Sequence, residues 1–188
     1  MLGPMADHVE AALERWRTEM PHLDASSLAV VERIARLSTL LERQLEPVLA
    51  PHSLTAGELE VLAALRREGA PFRMTPTRLT ATVLMTSGGM TKRLATLEGA
   101  GLVTRVPDPT DRRSRSVELT DAGRDLVERV LASRLRHEKR LLSGLRKRQR
   151  RDLAEALRDL CVALGDEPVP GAPRKERQED DGDLRQSI

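Results

Sequence analysis

Aromatic side chains are almost absent from this chain: it has no tyrosine, and Trp16 and Phe72 are its only tryptophan and phenylalanine. Its interior must therefore be built from leucine, valine and alanine, which is typical of helical proteins packed by aliphatic stripes. The length of 188 residues is compatible with one domain that buries a sizeable core.

Cysteine and histidine are also scarce, which argues against a disulfide framework and a metal site. The single cysteine, Cys161, fits a reducing compartment, and its place on the apolar side of the last predicted helix indicates a buried structural thiol. The four histidines are scattered without ligand spacing. Glycine-rich phosphate loops and nucleophile elbows are missing too. We therefore expect no metal, no cofactor and no enzymatic activity.

Long hydrophobic runs are missing as well. No stretch reaches the ~18 apolar residues of a membrane-spanning helix. Residues 1–20 lack the basic start and the apolar segment of a signal peptide. The sequence thus predicts a cytoplasmic protein that does not contact a membrane.

The formal net charge is only +2, but the charges are unevenly distributed along the chain. Between Arg73 and Arg115 there are eight basic and three acidic residues, whereas residues 165–188 contain seven acidic and four basic ones. This distribution is typical of a local anion-binding surface in a protein of nearly neutral total charge.

The spacing of apolar and capping residues predicts a mainly helical chain. Residues 7–20 are predicted to form a short helix, and Asp24 is expected to cap a long helix whose apolar residues recur from 28 to 48 at three- and four-residue spacing. Thr55 and Glu58 form a T-x-x-E capping box that opens the next helix.

The middle of the chain predicts a winged helix-turn-helix. Thr75-Pro76 is a cap followed by proline at the first position of a helix of about nine residues. A break at residues 86–89 separates it from a second short helix, and segment 103–119, VTRVPDPTDRRSRSVEL, has the alternation and turn residues of a β-hairpin. Element order, caps and turns together predict a mainly α fold with a small β-hairpin wing, completed by two further helices.

The stretch LEGAGLVTRVPDPTDRRSRSVELTDAGR, residues 97–124, closely resembles the MarR family of bacterial transcriptional regulators. The resemblance extends from about Ala29 to Leu164. It implies a homodimer whose terminal helices interlock and whose winged helix-turn-helix lobes bind pseudopalindromic operator DNA. It also implies a repressor that a small-molecule ligand releases from DNA.

The start of the second short helix is the predicted major-groove contact, because the first residues of a recognition helix reach the base edges. Candidates for base or phosphate contacts there are Thr86, Ser87, Gly88, Thr91 and Lys92. Glycine lets the backbone approach phosphate. On the preceding helix, Thr77 and Arg78 are expected to position the DNA backbone, and Arg93 is expected either to contact phosphate or to brace the wing.

The hairpin is the second predicted DNA contact. Arg112 and Arg113 are expected to enter a narrow minor groove, with Arg115 beside them. Asp108 and Asp111 are expected to orient the wing, because a carboxylate next to phosphate would be repelled. An arginine-rich hairpin alone is equally compatible with a solvated loop, and the helix-turn-helix immediately before it favours DNA.

Two long helices predict dimerisation. The helix after Asp24 and the helix from Thr120 to Gly144 would each be near 40 Å long at ~1.5 Å per residue, more than a compact lobe needs. Packing against a symmetry mate would bury their apolar stripes. A monomeric bundle with the long helices folded back is the alternative.

A weaker resemblance links the chain to a urate-responsive subset of the same family. Trp16, Arg93 and Arg105 match the tryptophan and two arginines that this resemblance assigns to a ligand site, and Glu60 stands where an aspartate is expected. The resemblance implies a small anionic or aromatic effector. Alternatively, Trp16 attaches the first helix to the core, Glu60 pairs with an arginine, and the arginines serve DNA only.

The predicted organisation is an N-terminal extension helix (1–22), a dimerisation helix (23–54), a winged helix-turn-helix DNA-binding domain (55–120), dimerisation helices (121–165) and a disordered acidic tail (166–188). The predicted function is a dimeric, sequence-specific DNA-binding regulator. A helical protein–protein adaptor that uses the same fold without DNA is the alternative.

Overall fold

A computed structural model describes residues 6–108 and 114–169. The helices are α1 (His8–Glu19), α2 (Leu28–Leu49), α3 (Ala56–Glu68), α4 (Pro76–Thr82), α5 (Ser87–Gly99), α6 (Asp121–Leu141) and α7 (Lys147–Ala163). The strands are β1 (Arg73–Met74), β2 (Val103–Pro107) and β3 (Arg115–Leu119). The chain divides into two units, the described parts of Met1–Leu59 with Glu128–Gly144 and of Glu60–Val127 with Leu145–Ile188. The mainly α fold with a small β-sheet wing is confirmed.

In the first unit, α1 packs on α2 through both apolar and charged contacts. Val9 and Leu13 of α1 are buried. Asp7 caps α1 by accepting a hydrogen bond from the Glu10 amide at 2.8 Å. Its carboxylate also accepts two hydrogen bonds from Arg33 of α2, at 2.7 Å from Nε and 3.0 Å from Nη2. One carboxylate thus starts α1 and fixes that helix to α2.

The Asp7–Arg33 pair predicts a pH-dependent attachment of α1. Hydrogen bonds from Arg33, together with that from the Glu10 amide, lower the pKa of Asp7 to about 2. A lowered pKa stabilises the folded state above the unfolded pKa of about 3.9, and the stabilisation disappears as the pH falls through 2. Asp7→Asn should therefore lower the melting temperature, followed by Trp16 fluorescence, clearly at pH 6 and much less at pH 2.

Asp24→Asn is the control for that measurement. The pKa of Asp24 is also lowered, but by hydrogen bonds from Ser26 within the same turn, so its replacement should affect α1 much less. An equal difference between wild type and Asp7→Asn at both pH values would contradict the account.

The first residues of α2 differ from the sequence-based expectation. Asp24 does not cap this helix: its carboxylate accepts a hydrogen bond from the Ser26 amide at 2.9 Å, in the turn that precedes Leu28. An Asp side chain that bonds its own backbone two residues on forms an Asx turn, which competes with helix capping. The turn displaces the start of the helix by three residues.

Helix α2 exposes a continuous apolar stripe. It is 22 residues long, and Leu49 is its one buried residue. Exposed apolar side chains recur at i, i+4, i+7 and i+11, namely Val30, Ile34, Leu37 and Leu41. This spacing places them on one face.

The second unit contains a three-stranded antiparallel sheet in the order β1-β3-β2. The short strand β1 pairs Met74 with Val117 of β3. Hairpin register places Val103 opposite Leu119, and both side chains are buried. Arg73 and Glu118 form a cross-strand ion pair, with 2.6 Å between Nε and Oε2. The wing is therefore one strand wider than a hairpin.

Thr120 and Gly123 connect the sheet to α6. The Thr120 hydroxyl donates to the Gly101 carbonyl at 2.7 Å and accepts from the Gly123 amide at 3.0 Å, so Thr120 caps α6. Gly123 lies directly against the backbone of Leu102: a Cβ at this position would be 2.0 Å from the Leu102 carbonyl oxygen. Only glycine fits here without displacement of one of the two segments.

Helix α7 is exposed along its whole length. Its apolar residues Leu153, Leu157 and Leu160 are 43%, 40% and 37% exposed. Cys161 is exposed too, so the prediction of a buried thiol is wrong. Leucine spacing on this helix identified an apolar stripe correctly, but within one chain that stripe is not covered.

No helix in the described ranges is long and apolar enough to cross a membrane. Within the same ranges there is no cluster of three or more histidine, cysteine or acidic side chains able to hold a metal ion.

Candidate nucleic-acid interface

Helix α4 begins as the sequence predicts and ends earlier. The Thr75 hydroxyl accepts a hydrogen bond from the Arg78 amide at 3.3 Å, and Pro76 occupies the first helical position. Leu79 is fully buried and anchors the helix in the second unit. The helix has seven residues rather than about nine, because Val83 has left the helical conformation and Leu84 takes a φ of +49°.

Helix α5 starts earlier than predicted. The Thr86 hydroxyl caps it by accepting from the Gly89 amide at 3.2 Å, so the expected break at 86–89 is the first turn of the helix. Met90, Leu94 and Leu97 are buried, as their spacing indicates. The opposite face is therefore exposed, and it presents Thr91 and Lys92.

A groove of about 600 Å³ lies between α4 and α5. Its walls carry hydroxyl groups from both helices, those of Thr77, Thr80, Ser87 and Thr91, and an arginine of β2, Arg105. Apolar atoms line its floor, because Met90 and Leu94 belong to the core beneath it. We call the exposed residues at this groove and on the adjoining sheet the groove surface: Thr77, Ser87, Gly88, Thr91, Lys92, Arg105 and Arg115.

Lys92 is the exposed cation of α5. Its ammonium group forms no ion pair within residues 6–108 and 114–169. Gly88, one turn earlier, is exposed as well, and a Cβ there would meet no described atom within 4 Å. The first amides of a helix lack partners inside the helix, so Ser87 and Gly88 add partial positive charge to that of Lys92.

Two other predicted contact residues are occupied by contacts inside the protein. Arg78 forms a two-pronged ion pair with Glu68, with 2.8 Å between Nη2 and Oε2. Arg93 turns back so that Nη1 lies 2.9 Å from the Met85 sulfur. It thus braces the turn between α4 and α5, not the wing.

Arg105 is paired less tightly than these two. Its Nε is 3.2 Å from Glu98 Oε2, and both side chains are partly exposed. Solvent screening makes such pairs weak, so Arg105 is able to exchange Glu98 for an external anion at small cost.

The wing is fixed at its base by a buried polar pair. Ser116 donates to Asp108 Oδ2 at 2.5 Å, and the Asp108 amide donates to the Ser114 carbonyl at 3.2 Å. Both side chains are buried, Asp108 to 7% and Ser116 to 2% exposure. Asp108 is thus held at the base of the wing, and its wing-orienting role remains a prediction. Arg115 is exposed in β3 opposite Pro107.

The predicted contact residues Arg112 and Arg113, and the predicted orienting residue Asp111, lie outside the described residues. Their roles remain predictions.

Comparison with known proteins places the chain in a family. The profile of the MarR family matches residues 52–114, which include α4, α5 and β2. The HTH-type transcriptional regulator PecS of Dickeya dadantii (strain 3937) is 34% identical over 155 residues, a match that covers 81% of this chain and 93% of PecS. The chain belongs to the MarR family. It is a MarR-family transcriptional regulator.

Two other members support this placement. The uncharacterized HTH-type transcriptional regulator Mb0904 of Mycobacterium bovis (strain ATCC BAA-935 / AF2122/97) is 32% identical over 127 residues, covering 68% of this chain and 86% of Mb0904. The structure of Sco3205, a MarR-family regulator from Streptomyces coelicolor in complex with DNA, aligns with a TM-score of 0.68 at 25% identity. That alignment covers 76% of this chain and 90% of Sco3205.

Two features of this MarR-family chain were missed by sequence reasoning. Leu84 is 81% exposed and lines the groove between α4 and α5, although leucine in a short interhelical turn is usually interpreted as a core residue. Ser116 is the buried partner of Asp108, and nothing in its local sequence distinguishes it from Ser114, which is only half-buried.

The residues that resemble the urate-responsive MarR subset are distributed over both units. Trp16 is 40% exposed on α1 in the first unit. Glu60, Arg93 and Arg105 belong to the second unit, on α3, α5 and β2. Arg93 contacts the Met85 sulfur through Nη1, and Arg105 forms a partly exposed ion pair with Glu98. Their common role in ligand binding remains a prediction.

Proposed function

We propose that this chain binds double-stranded operator DNA as a homodimer and represses transcription in the cytoplasm, without catalysing a reaction. The observation that supports this most directly is the groove surface: an exposed helix start, with hydroxyl groups, unpaired amides and Lys92, beside two exposed arginines of a three-stranded wing.

The shape and charge of this surface suit duplex DNA. A helix is narrow enough for the major groove, and residues at its first turn reach base edges and phosphates. Ser87 supplies a hydroxyl group that both donates and accepts hydrogen bonds. The Thr91 hydroxyl donates to the Ser87 carbonyl at 3.0 Å and retains its acceptor lone pairs. Arg115 lies on the adjoining wing. The negative potential of a narrow minor groove attracts arginine side chains.

The uncovered stripes of α2 and α7 support a homodimer. The α2 stripe has four exposed apolar side chains on one face and the α7 stripe has three, and exposed stripes of this length are unfavourable in water. In a two-fold dimer the same stripe would be buried in both protomers. Two groove surfaces related by that axis would match a pseudopalindromic site with half-sites about one DNA turn apart.

A small anionic or aromatic effector is proposed to release the DNA. Arg93 braces the turn that starts α5, through Met85, and Arg105 lines the groove. An anion that attracts either guanidinium would disturb the start of α5 and so lower DNA affinity.

Salt-dependent DNA binding tests the proposal. A duplex is first selected from a random library by retention on the full-length protein at ~50 mM salt, and its affinity is then measured by fluorescence anisotropy across salt concentrations. We expect the affinity to fall by ~10³-fold or more from ~50 to ~200 mM salt if the dimer neutralises at least six phosphates.

Lys92→Ala should weaken binding at low salt and reduce the slope of log K against log salt by about one for each protomer, because one phosphate contact is lost. Lys147→Ala is the matched control: it removes an exposed lysine from the first turn of α7, and its salt slope should equal that of wild type. If no duplex is retained at low salt, the proposal fails, and the alternative of a protein–protein adaptor that does not bind DNA is favoured.

A further inference from the structure

The chain leaves α7 next to α4. After Leu164, Gly165 adopts a φ of +84°, and the Asp166 amide donates to the Cys161 carbonyl at 3.0 Å, which closes the helix. Residues 165–169 then line a cavity of about 1010 Å³ whose other walls come from α3 and α4. Val169 is half-buried in that position, at the last described residue.

This cavity is adjacent to the groove surface. Ala81 and Leu84 line both the cavity and the groove between α4 and α5. Leu84 is 81% exposed, so the cavity and the groove share an apolar side chain at the protein surface. Val169, the last described residue, therefore lines a cavity that adjoins the groove.

The sequence after Val169 carries an acidic run within reach. Glu179, Asp180, Asp181 and Asp183 lie among five positions, and Glu179 is ten residues beyond Val169. Ten residues span at most ~33–36 Å, whereas the 13 residues of α5 extend for about 20 Å. The ten-residue connection is thus longer than the helix that carries Ser87, Gly88, Thr91 and Lys92.

The charges of the two segments are complementary. Lys92 and Arg115 are exposed cations without an ion pair in the described parts of the chain, and Arg105 holds Glu98 only weakly. Carboxylates form charge-assisted hydrogen bonds with the same ammonium and guanidinium groups that bind phosphates.

We propose that the acidic run 179–183 docks on the groove surface of its own chain and competes there with DNA. The proposal rests on the proposed function, since the competitor is DNA phosphate. Tethering gives the acidic run an effective concentration in the millimolar range, so even weak docking lowers DNA affinity at low salt. Salt screens both contacts, and the effect of the run should vanish as salt rises.

The first test compares full-length proteins that differ only in charge. Neutralising the run (E179Q, D180N, D181N and D183N together) should increase affinity for the selected duplex about three- to tenfold at ~50 mM salt and less than twofold at ~300 mM. The matched control D166N with E167Q removes two carboxylates from the segment that precedes the run, and should change affinity less than twofold. Equal affinities of the neutralised and wild-type proteins at low salt would overturn the proposal.

The second test detects docking without DNA. A carbodiimide joins carboxylates to lysines in direct contact, and digestion with mass spectrometry should identify Lys92 joined to residues 179–183. Mixing unlabelled with ¹⁵N-labelled protein distinguishes links within one chain from links between chains. Absence of the Lys92 link, or its occurrence only between chains, would overturn the proposal.

The two tests separate this inference from the proposed function. If no duplex binds either protein, the proposed function and the competition with DNA both fail, whatever the cross-link shows. If DNA binds wild type and the neutralised protein equally, only the inference about the acidic run fails.

Discussion

Leu157→Asp is expected to convert the protein into a monomer and to weaken operator binding by at least ~100-fold. Leu157 is 40% exposed at the centre of the α7 stripe. In the proposed dimer it is buried, and burial of a leucine contributes about 1.5–3 kcal/mol. An unpaired carboxylate in its place costs several kcal/mol, and two-fold symmetry doubles each effect.

The expected loss exceeds ~5 kcal/mol, which raises the dissociation constant of the dimer by a factor on the order of 10³–10⁴. Operator affinity falls with it, because one protomer reaches one half-site only. Light scattering with size-exclusion chromatography measures the oligomeric state, and anisotropy with the selected duplex measures DNA affinity.

Val162→Asp is the matched control on the same helix. Val162 is 61% exposed and lies five residues from Leu157, about 140° around the helix at ~100° per residue, away from the stripe. It should leave the dimer and DNA affinity unchanged. A dimeric Leu157→Asp protein, or an equal loss in the Val162→Asp protein, would contradict the assignment of the α7 stripe to the dimer.

Gly123→Ala is expected to lower the free energy of unfolding by about 2–4 kcal/mol. The added Cβ would lie 2.0 Å from the Leu102 carbonyl oxygen and 2.9 Å from its carbon, both backbone atoms that cannot move independently. Relief requires displacement of the α6 start from the turn before β2, which also disturbs the Thr120 cap. Overpacking of this kind is among the few mechanisms that give large losses.

Gly99→Ala provides the comparison for this prediction. Gly99 is in the last turn of α5, and a Cβ there would meet no described atom within 4 Å. Alanine should stabilise that helix slightly, by up to ~1 kcal/mol. Urea denaturation followed by circular dichroism measures both variants. A Gly123→Ala protein as stable as wild type would show that α6 and the Leu102 turn are not in the contact described.

The helix caps and helix ends of this fold could be predicted because interactions between residues close in sequence determine them. The Thr55–Glu58 capping box and the Thr75 cap depend on side chains three residues from their partners. Gly69 ends α3 at a φ of +83°, a conformation that glycine adopts without strain. These signals are complete within a few residues, so sequence spacing is sufficient to find them.

The partners of side chains could not be predicted in the same way. Arg78 pairs with Glu68 and Ser116 with Asp108 across separate elements, and several acceptors compete for each donor. The start of α5 was misplaced for a different reason: glycines are poor helix formers, but the Thr86 cap outweighs their low propensity in the first turn.

The apolar stripe of α7 shows a second limit of sequence reasoning. Leucine periodicity indicates that a face is apolar, but it does not indicate whether the same chain or another one covers that face. The expectation of a buried Cys161 failed for this reason: the thiol is exposed along with the stripe residues Leu157 and Leu160.

Hydroxyl-radical footprinting of the selected duplex tests the central claim most directly. If two groove surfaces bind one operator, the wild-type protein should protect two symmetry-related patches on one side of the duplex, with centres about 10 base pairs apart. Lys92→Ala should weaken both patches equally, while Lys147→Ala leaves them unchanged. A single asymmetric patch, or protection that does not depend on Lys92, would contradict the account.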